Sequence, residues 1–208
     1  MKGSSSLAYQ VSKRIFDIMV SGVGLVLASP IMAVTAIMVR HNLGSPVIFS
    51  QDRAGKDGRV FCLYKFRTMR EPNISIGLIS DQDRLTDFGK KLRASSLDEL
   101  PSLWNIFMGD MSLVGPRPLR VNYLDLYTSE QARRHEVKPG LTGLAQVSGR
   151  NSLSWEKRFT LDVTYVDNQS FKLDFQILMK TVDVVLSKRG VSAEDCVTMT
   201  AFTGSQDA

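Results

Sequence analysis

An uncharged apolar stretch near the N-terminus constrains what this chain can fold into more than any other feature. It runs from Ile18 to Val39 and reads IMVSGVGLVLASPIMAVTAIMV. About 20 apolar residues are enough for a helix to cross the hydrocarbon core of a bilayer. Pro30 lies in the middle of the stretch, where a proline removes a backbone hydrogen bond and kinks a helix. The stretch therefore predicts a membrane-associated segment with a break at Ser29-Pro30.

Three membrane topologies can be compared for this stretch. A signal peptide would end at a small-residue cleavage site, but the apolar run continues past Ser29-Pro30. A spanning helix fits the length of the stretch but not its central proline. A re-entrant hairpin would have two arms of about 14 to 18 Å, roughly half the hydrocarbon thickness, and both would return to one face. Basic residues on both flanks favour this third topology, with the flanks on the cytoplasmic side: Lys13, Arg14, Arg40, Arg53, Lys56 and Arg59.

Composition limits the class of partner. The 208 residues carry a net charge of +5 and have a pI of about 9.3, which fits an anionic partner such as a nucleic acid, an anionic lipid or a diphosphate. Basic patches with interleaved aromatic residues are not evident, and this argues against nucleic acid. Cys62 and Cys196 are too few and too far apart to indicate a disulfide framework or a zinc site.

After the apolar stretch, the sequence predicts a small β-hairpin. Residues 47–50 and 60–64 are β-prone runs separated by a polar segment that contains Gly-Lys-Asp-Gly. Lys65 follows the second run, where its side chain either points into a site or adds charge to a solvated strand edge.

The C-terminal half predicts two longer helices, so the fold class is α/β and mostly helical. The first covers residues 154–166 and places Phe159, Asp162 and Tyr165 on one side, which makes Asp162 either a satisfied core acid or a site ligand. The second covers residues 172–187 and either packs in the core or lies on the membrane surface as an interfacial amphipathic helix.

The segment RASSLDELPSLWN, residues 93–105, places two adjacent acids, Asp98 and Glu99, before an apolar helical face. One interpretation is a helix start, because Ser96 and Glu99 have the spacing of a capping box and acids suit the first turn. A helix that begins at Ser96 would lose an internal hydrogen bond at Pro101. A helix that is capped by Asp98 would lose none, because Pro101 would then lie in its first turn.

Three other segments carry residues suited to phosphate or metal. Pro118 holds Arg117 extended in GPRPL, which suits a phosphate-binding arginine or, equally, a rigid turn. The Gly-rich loop KPGLTGLAQVSGRN contains Arg150 and lacks the patterns of a P-loop or a dinucleotide site. Asp81 and Asp83 form a D-x-D pair, as in metal-dependent glycosyltransferases that transfer the sugar alone and release UDP.

Five segments occur together in the order seen in one family: KRIFDIMVSGVGLVLASPI, VIFSQDRAGKDGRVFCLYKFRTM, LRASSLDELPSLWNIFMGDMSLVGPRPL, KPGLTGLAQVSGRN and LDVTYV. Over roughly residues 13–191, the chain resembles a bacterial sugar transferase of the small monotopic phosphoglycosyl transferase type, in its minimal PglC-like form. The resemblance implies transfer of a sugar 1-phosphate from a UDP-sugar to a polyprenyl phosphate, with release of UMP and a requirement for Mg²⁺. It also implies attachment to the cytoplasmic face of the inner membrane.

The same resemblance implies a set of functional residues. The S-L-D-E-L motif supplies a catalytic dyad, Asp98 and Glu99, with Glu99 assigned to Mg²⁺. The apolar stretch corresponds to a re-entrant helix broken at Ser29-Pro30. The residues expected to bind substrate or phosphate are Lys65, Arg93, Arg117, Arg150 and Asp162.

On this interpretation, residues 1–40 form the membrane segment, 41–191 the cytoplasmic catalytic domain and 192–208 a C-terminal tail. Asp98 is expected to attack the phosphate next to the sugar and to form a covalent intermediate, which the polyprenyl phosphate then resolves. The alternatives are the glycosyltransferase that releases UDP and a membrane-anchored binding module without catalysis. The loop REPNISIGLIS matches none of the family's motifs, so the sugar does not follow from the resemblance.

Overall fold

The computed structural model describes residues 6–149, 153–187 and 201–204. A long N-terminal helix, α1 (Leu7–Leu43), contains the whole apolar stretch. A β-hairpin follows, made of β1 (Ile48–Ala54) and β2 (Val60–Phe66). The other helices and strands are, in chain order, α2 (Asp81–Arg84), α3 (Asp87–Ala94), α4 (Ser102–Met108), β3 (Ser112–Val114), α5 (Ser129–Ala132), β4 (Gly140–Thr142), α6 (Leu144–Ser148), α7 (Trp155–Asp167) and α8 (Phe171–Ser187).

Helix α1 continues through Pro30, so the structure shows no interruption at the predicted Ser29-Pro30 break. A proline lacks the amide that would donate to the carbonyl four residues earlier, which here belongs to Val26. The Ser29 hydroxyl donates to that carbonyl at 2.8 Å. Ser29 thus supplies the donor that Pro30 lacks, and the helix tolerates the proline.

The N-terminal half of α1 is attached to the rest of the protein by polar contacts. Arg14 donates to the carbonyls of Ile106 and Phe107, at 2.6 and 2.8 Å. These carbonyls lie in the last turn of α4, where intrahelical donors are missing. Asp17, which is buried, accepts a 3.0 Å hydrogen bond from the Leu113 amide. These contacts fix α1 against both α4 and β3.

The C-terminal half of α1 packs through apolar contacts. Val39 is fully buried against Phe66 and Leu92. Leu97 and Leu100, on either side of the acidic pair, pack against the same cluster. The two halves of α1 therefore contact the same globular body, and the segment that carries the acidic pair lies against the second half.

The predicted hairpin is confirmed and is longer than expected. β1 and β2 pair antiparallel in a register that runs from Ile48 opposite Phe66 to Ala54 opposite Val60. A second sheet pairs β3 and β4 in parallel. The central core lies between the hairpin, α4, β3, α7 and α8, and consists of Leu63, Ile106, Met111, Leu113, Val114, Tyr165 and Ile177.

Helix α7 has the buried face that the sequence predicted. Phe159, Asp162 and Tyr165 are all almost completely buried. Phe159 belongs to an aromatic cluster that also contains Tyr123 and Phe202. The cluster joins α7 to the chain that precedes α5.

Large apolar side chains remain exposed on three helices. By length and composition, α1 could cross a membrane, and little of its apolar stretch is buried. The exposed residues of α1 include Val23, Val26, Leu27, Ile31, Val34 and Ile37. α4 and α8 add Trp104, Phe107, Met108, Phe171, Phe175, Met179 and Val182. Contiguous apolar surface of this kind marks a binding or membrane-facing surface.

Candidate active site

The acidic pair lies in a short 3₁₀ turn, Leu97–Glu99, between α3 and α4. Ser96 precedes the turn in the left-handed conformation, with φ of 57°, and its side chain makes no capping bond. The predicted Ser96–Glu99 capping box is therefore wrong, because the Glu99 carboxylate faces a lysine and an arginine instead. α4 starts after Pro101, so the proline costs this helix no internal hydrogen bond.

Two cations hold Glu99. Lys65 Nζ lies 2.6 Å from Glu99 Oε1, and Arg117 Nη2 lies 2.9 Å from the same oxygen. Lys65 comes from β2, whereas Arg117 comes from the loop after β3. Burial acts to raise the pKa of Glu99, but Arg117 and Lys65 outweigh it and hold this pKa far below the ordinary value. Glu99 is therefore a firmly ionised carboxylate with one oxygen already occupied.

Asp98 lies beside Glu99 in a different environment. It is buried, and no described residue donates a hydrogen bond to its carboxylate. Burial and the neighbouring Glu99 charge raise the pKa of Asp98, while Lys65, Arg93 and Arg117 oppose that rise. Asp98 is therefore a buried carboxylate with a raised pKa, which lies beside one anion and near three cations.

Arg93 reaches the acidic pair from the last turn of α3. Its Nε donates to the Thr68 hydroxyl at 3.0 Å, which holds the guanidinium beside the site. α3 can approach this closely because it carries Gly89: a Cβ there would lie 1.9 Å from the Thr68 carbonyl oxygen. The glycine thus brings Arg93 close to the dyad.

Arg117 is positioned by close backbone packing behind it. The Gly115 amide donates to the Thr142 carbonyl and the Gly140 amide donates to the Pro116 carbonyl, both at 2.9 Å. A Cβ on Gly140 would lie 2.1 Å from the Gly115 nitrogen, so this contact requires glycine. The Gly-rich loop that the sequence singled out therefore supports Arg117 through its backbone.

A buried ion pair completes this support. Arg134 and Asp162 are separated by 2.8 Å, with side chains 1% and 2% exposed. Arg134 also donates to the Arg117 carbonyl at 2.7 Å. Asp162 is thus a satisfied core acid that contacts the site through Arg134 and the Arg117 backbone.

One family of known proteins matches most of this chain. The family model described as bacterial sugar transferase matches residues 8–188. The chain belongs to the bacterial sugar transferase family. The resemblance drawn from the five sequence segments is thereby confirmed.

Individual relatives of this bacterial sugar transferase carry more specific names. It is 53% identical to the uncharacterized sugar transferase EpsL of Bacillus subtilis, over 95% of this chain and 98% of the relative. It is 42% identical to the UDP-glucose:undecaprenyl-phosphate glucose-1-phosphate transferase of Klebsiella pneumoniae, over 83% of this chain and 39% of the relative. It is 38% identical to the undecaprenyl-phosphate galactose phosphotransferase of Salmonella typhimurium, over 86% and 41%. The chain spans less than half the length of the last two relatives.

The structure brings together most of the site residues predicted for this sugar transferase. The residues that meet are Asp98, Glu99, Lys65, Arg93 and Arg117. Asp162 does not face the acidic pair, because it contacts Arg134, which in turn contacts the Arg117 backbone. Arg150 lies outside the described residues. Sequence reasoning missed Arg134, whose position in the run ARRHE is typical of a solvated basic face. No local signal in the sequence distinguishes it from such a face.

The D-x-D pair of the alternative hypothesis has a structural role. Asp83 accepts hydrogen bonds from the Ser80 amide and hydroxyl, which forms a capping box at the start of α2. Asp81 lies 3.5 Å from Arg84 within the same helix. Within residues 6–149, 153–187 and 201–204, no group of three or more His, Cys, Asp and Glu residues could hold a metal ion. The pair therefore gives no support to a glycosyltransferase metal site.

Proposed function

We propose that this sugar transferase moves a sugar 1-phosphate from a UDP-sugar to a polyprenyl phosphate, such as undecaprenyl phosphate, and releases UMP. The observation that carries the proposal is the pair Asp98–Glu99, set among Lys65, Arg93 and Arg117. Positive groups in this number suit a diphosphate substrate. The names of two relatives, which state phosphotransfer involving undecaprenyl phosphate, support the same reaction.

The two carboxylates take different roles. Glu99 has one oxygen bound by both Lys65 and Arg117, so it cannot turn towards a phosphorus atom without losing two ion pairs. Asp98 gives up no hydrogen bond from a described residue when it attacks. Asp98 is therefore the nucleophile, as carboxylates are in aspartyl-phosphate enzymes.

The reaction then proceeds in two displacements. In the first, an Asp98 oxygen bonds to the phosphorus that bears the sugar, and the bond from that phosphorus to UMP breaks. In the second, an oxygen of the polyprenyl phosphate bonds to the same phosphorus, and the bond to Asp98 breaks. Lys65, Arg93 and Arg117 stabilise the charge on the phosphoryl oxygens in both steps.

Magnesium fits this arrangement. Lys65 and Arg117 both bind Oε1 of Glu99, which leaves Oε2 and the Asp98 carboxylate as oxygen ligands. Mg²⁺ in phosphate-transfer sites takes one or two carboxylates, with phosphate and water supplying the other ligands. Bound there, the ion would neutralise part of the diphosphate charge. Glu99 is the residue that we assign to it.

We also propose that α1 enters the membrane from one side. A straight helix of 37 residues would be about 55 Å long, well beyond the roughly 30 Å of hydrocarbon. Yet Arg14 near its start and Val39 near its end both contact the globular body. A spanning helix would separate these two contacts by the whole bilayer, so the contacts support insertion from one side. The bend that this requires is proposed at Pro30, where a proline kinks a helix without having to end it. The body would then lie on the cytoplasmic face of the inner membrane.

The exposed apolar faces of α4 and α8 support the same placement. Trp104, Phe107 and Met108 lie on α4, the helix that directly follows the acidic pair. Phe171 and Phe175 extend the apolar surface along α8. With these faces at the lipid boundary, the site would meet an acceptor whose tail stays in the bilayer and a donor from the cytoplasm.

The test of the proposed function is intact-protein mass spectrometry after incubation with UDP-sugars and Mg²⁺, with parallel identification of the nucleotide product. The expected result is a sugar-phosphate adduct on Asp98 together with released UMP. Asp98→Asn should lose both, because an amide cannot replace the nucleophile. Asp125→Asn is the matched control, since it makes the same change at an exposed position.

Two results would refute the proposal. UDP as the nucleotide product would mean that the sugar is transferred without its phosphate. Full turnover by Asp98→Asn would mean that another group, or direct transfer in a ternary complex, carries the reaction.

A further inference from the structure

Two further arginines, Arg53 and Arg120, lie near Arg117. Arg53, on β1, donates through Nη2 to the Gln51 side-chain oxygen at 2.6 Å and through Nη1 to the Pro118 carbonyl at 3.5 Å. Its Nε is buried without a hydrogen-bond partner among the described residues. Neutral groups therefore hold this guanidinium in place, and no carboxylate of a described residue pairs with its charge.

The backbone brings Arg53 next to the segment that follows Arg117. The free edge of β1 pairs with that segment: Arg53 forms a bridge with Arg120, and the Ala54 amide donates to the Leu119 carbonyl at 3.2 Å. Arg120 is exposed and forms no ion pair with a described residue. Burial, followed by the charges of Arg117 and Arg120, lowers the pKa of Arg53 to about 10. Arg53 thus lies close enough to both other guanidinium groups to be repelled by them.

The charges in this region divide unevenly. Glu99 forms an ion pair with Arg117, but no carboxylate of a described residue pairs with Arg53 or Arg120. In the hairpin register, Phe49 pairs with Lys65 and Arg53 pairs with Phe61, so Lys65 and Arg53 project from the same face. Arg117 contacts Glu99 next to Lys65, and its neighbour Pro118 contacts Arg53. Arg117 and Pro118 therefore connect the acidic pair to Arg53 through two successive residues.

We propose that Arg53 and Arg120 form a second phosphate subsite, which binds the phosphate that leaves with the nucleotide. The inference rests on the proposed function, because it takes the donor to be a nucleoside diphosphate sugar. In an in-line displacement, the leaving oxygen lies opposite the attacking oxygen of Asp98. Arg117 contacts Glu99 beside Asp98, and the carbonyl of its neighbour Pro118 contacts Arg53, so we assign the sugar-bearing phosphate to Arg117 and the nucleotide phosphate to Arg53.

The subsite acts in the first displacement and not in the second. The guanidinium groups of Arg53 and Arg120 stabilise the charge that develops on the departing UMP. The second displacement involves no nucleotide, so it does not depend on them. A phosphate of the polyprenyl acceptor offers the same chemistry, and the experiment must therefore separate the two phosphates.

The test measures binding of UMP and of uridine to the full chain by calorimetry. The difference between the two affinities isolates the nucleotide phosphate. Arg53→Gln and Arg120→Gln should each weaken UMP binding about 10-fold, the loss of one charge-assisted hydrogen bond, and should leave uridine binding unchanged. Arg59→Gln is the matched control, because it removes an exposed arginine at the tip of the same hairpin. Arg120 is exposed, so its variant carries little risk of misfolding.

Three outcomes would overturn the subsite. The first is unchanged UMP affinity in both variants. The second is an equal loss of UMP and uridine affinity. The third is a raised KM for polyprenyl phosphate with unchanged UMP affinity, which would assign these arginines to the acceptor. Release of UMP by the wild type is measured separately. If the wild type releases UMP but the subsite test fails, only the subsite is refuted; if it releases no UMP, the proposed function itself is refuted.

Discussion

Arg134 donates a 2.7 Å hydrogen bond from Nη2 to the backbone carbonyl of Arg117. Asp162 in turn binds Arg134 through Nη2 and Nε, at 2.8 and 3.1 Å. The ion pair is buried and lies behind the site. The position of Arg117 therefore depends on two residues that do not themselves face the acidic pair.

Asp162→Ala should lower the free energy of unfolding by about 3–5 kcal/mol, because it leaves the buried Arg134 charge without a partner. Urea denaturation of the purified protein measures this loss. Asp167→Ala is the control on the same helix: Asp167 pairs with Arg133 but is 41% exposed, and such pairs contribute about 0–1 kcal/mol. Similar losses in the two variants would contradict a special role for the buried pair.

Lys65→Met should reduce kcat by about 10²- to 10³-fold, because Lys65 holds Glu99 and, in the proposed reaction, also stabilises the phosphoryl oxygens. Steady-state rates with a UDP-sugar donor measure the effect. Lys90→Met makes the same change at an exposed lysine, which pairs with Asp87. That control is expected to keep the wild-type rate. A Lys65→Met rate within about twofold of wild type would be incompatible with the assigned role.

One-sided insertion of α1 predicts that both of its flanks are reached from the same side of the membrane. Cysteines introduced as Leu7→Cys and Arg59→Cys, in a chain with Cys62 and Cys196 replaced by serine, report the two flanks. An impermeant thiol reagent should label both after permeabilisation and neither in intact cells. Labelling of one position from outside would instead indicate a spanning helix.

His135 should make the protein less stable in mild acid. Burial, followed by the charge of Arg134, lowers the pKa of His135 to about 4, below the value of about 6.5 for an unfolded histidine. Between these values the unfolded state binds the extra proton, so stability falls as the pH drops from about 6.5 to about 4, by at most about 1.4 kcal/mol per pH unit. The neutral ring donates from Nδ1 to the Gly55 carbonyl at 2.9 Å.

Denaturation curves over that pH range test the effect. His135→Gln should flatten the dependence, because glutamine can still donate to the Gly55 carbonyl but binds no proton. His41→Gln is the matched control, since it removes the other histidine of the chain from an exposed position. Parallel curves for wild type and His135→Gln would show that other groups cause the acid sensitivity.

The sequence was informative wherever the pattern is local. The apolar stretch around Pro30, the hairpin and the buried face of α7 each follow from neighbouring residues, and the structure contains all three. Next to the predicted break, the Ser29 hydroxyl supplies the donor that Pro30 lacks. Such features depend on periodicity and backbone chemistry, which a single segment carries.

The site was harder to predict because its contacts are long-range. Lys65 and Glu99 are 34 residues apart, and Arg134 and Asp162 are 28 apart. Family resemblance identified Lys65 and Glu99, but no local pattern marked Arg134. The capping-box prediction at Ser96 was wrong for the same reason, because Lys65 and Arg117, which are distant in the sequence, bind the Glu99 carboxylate instead.

If α1 inserts from one side, its packing also determines where the acidic pair lies relative to the membrane. Leu97 and Leu100, which flank Asp98 and Glu99, pack against the same cluster as Val39 of α1. The height of the Asp98 carboxylate above the lipid headgroups is then set by intramolecular packing and not by the thickness of the host bilayer. A thicker or thinner bilayer would therefore leave that height unchanged.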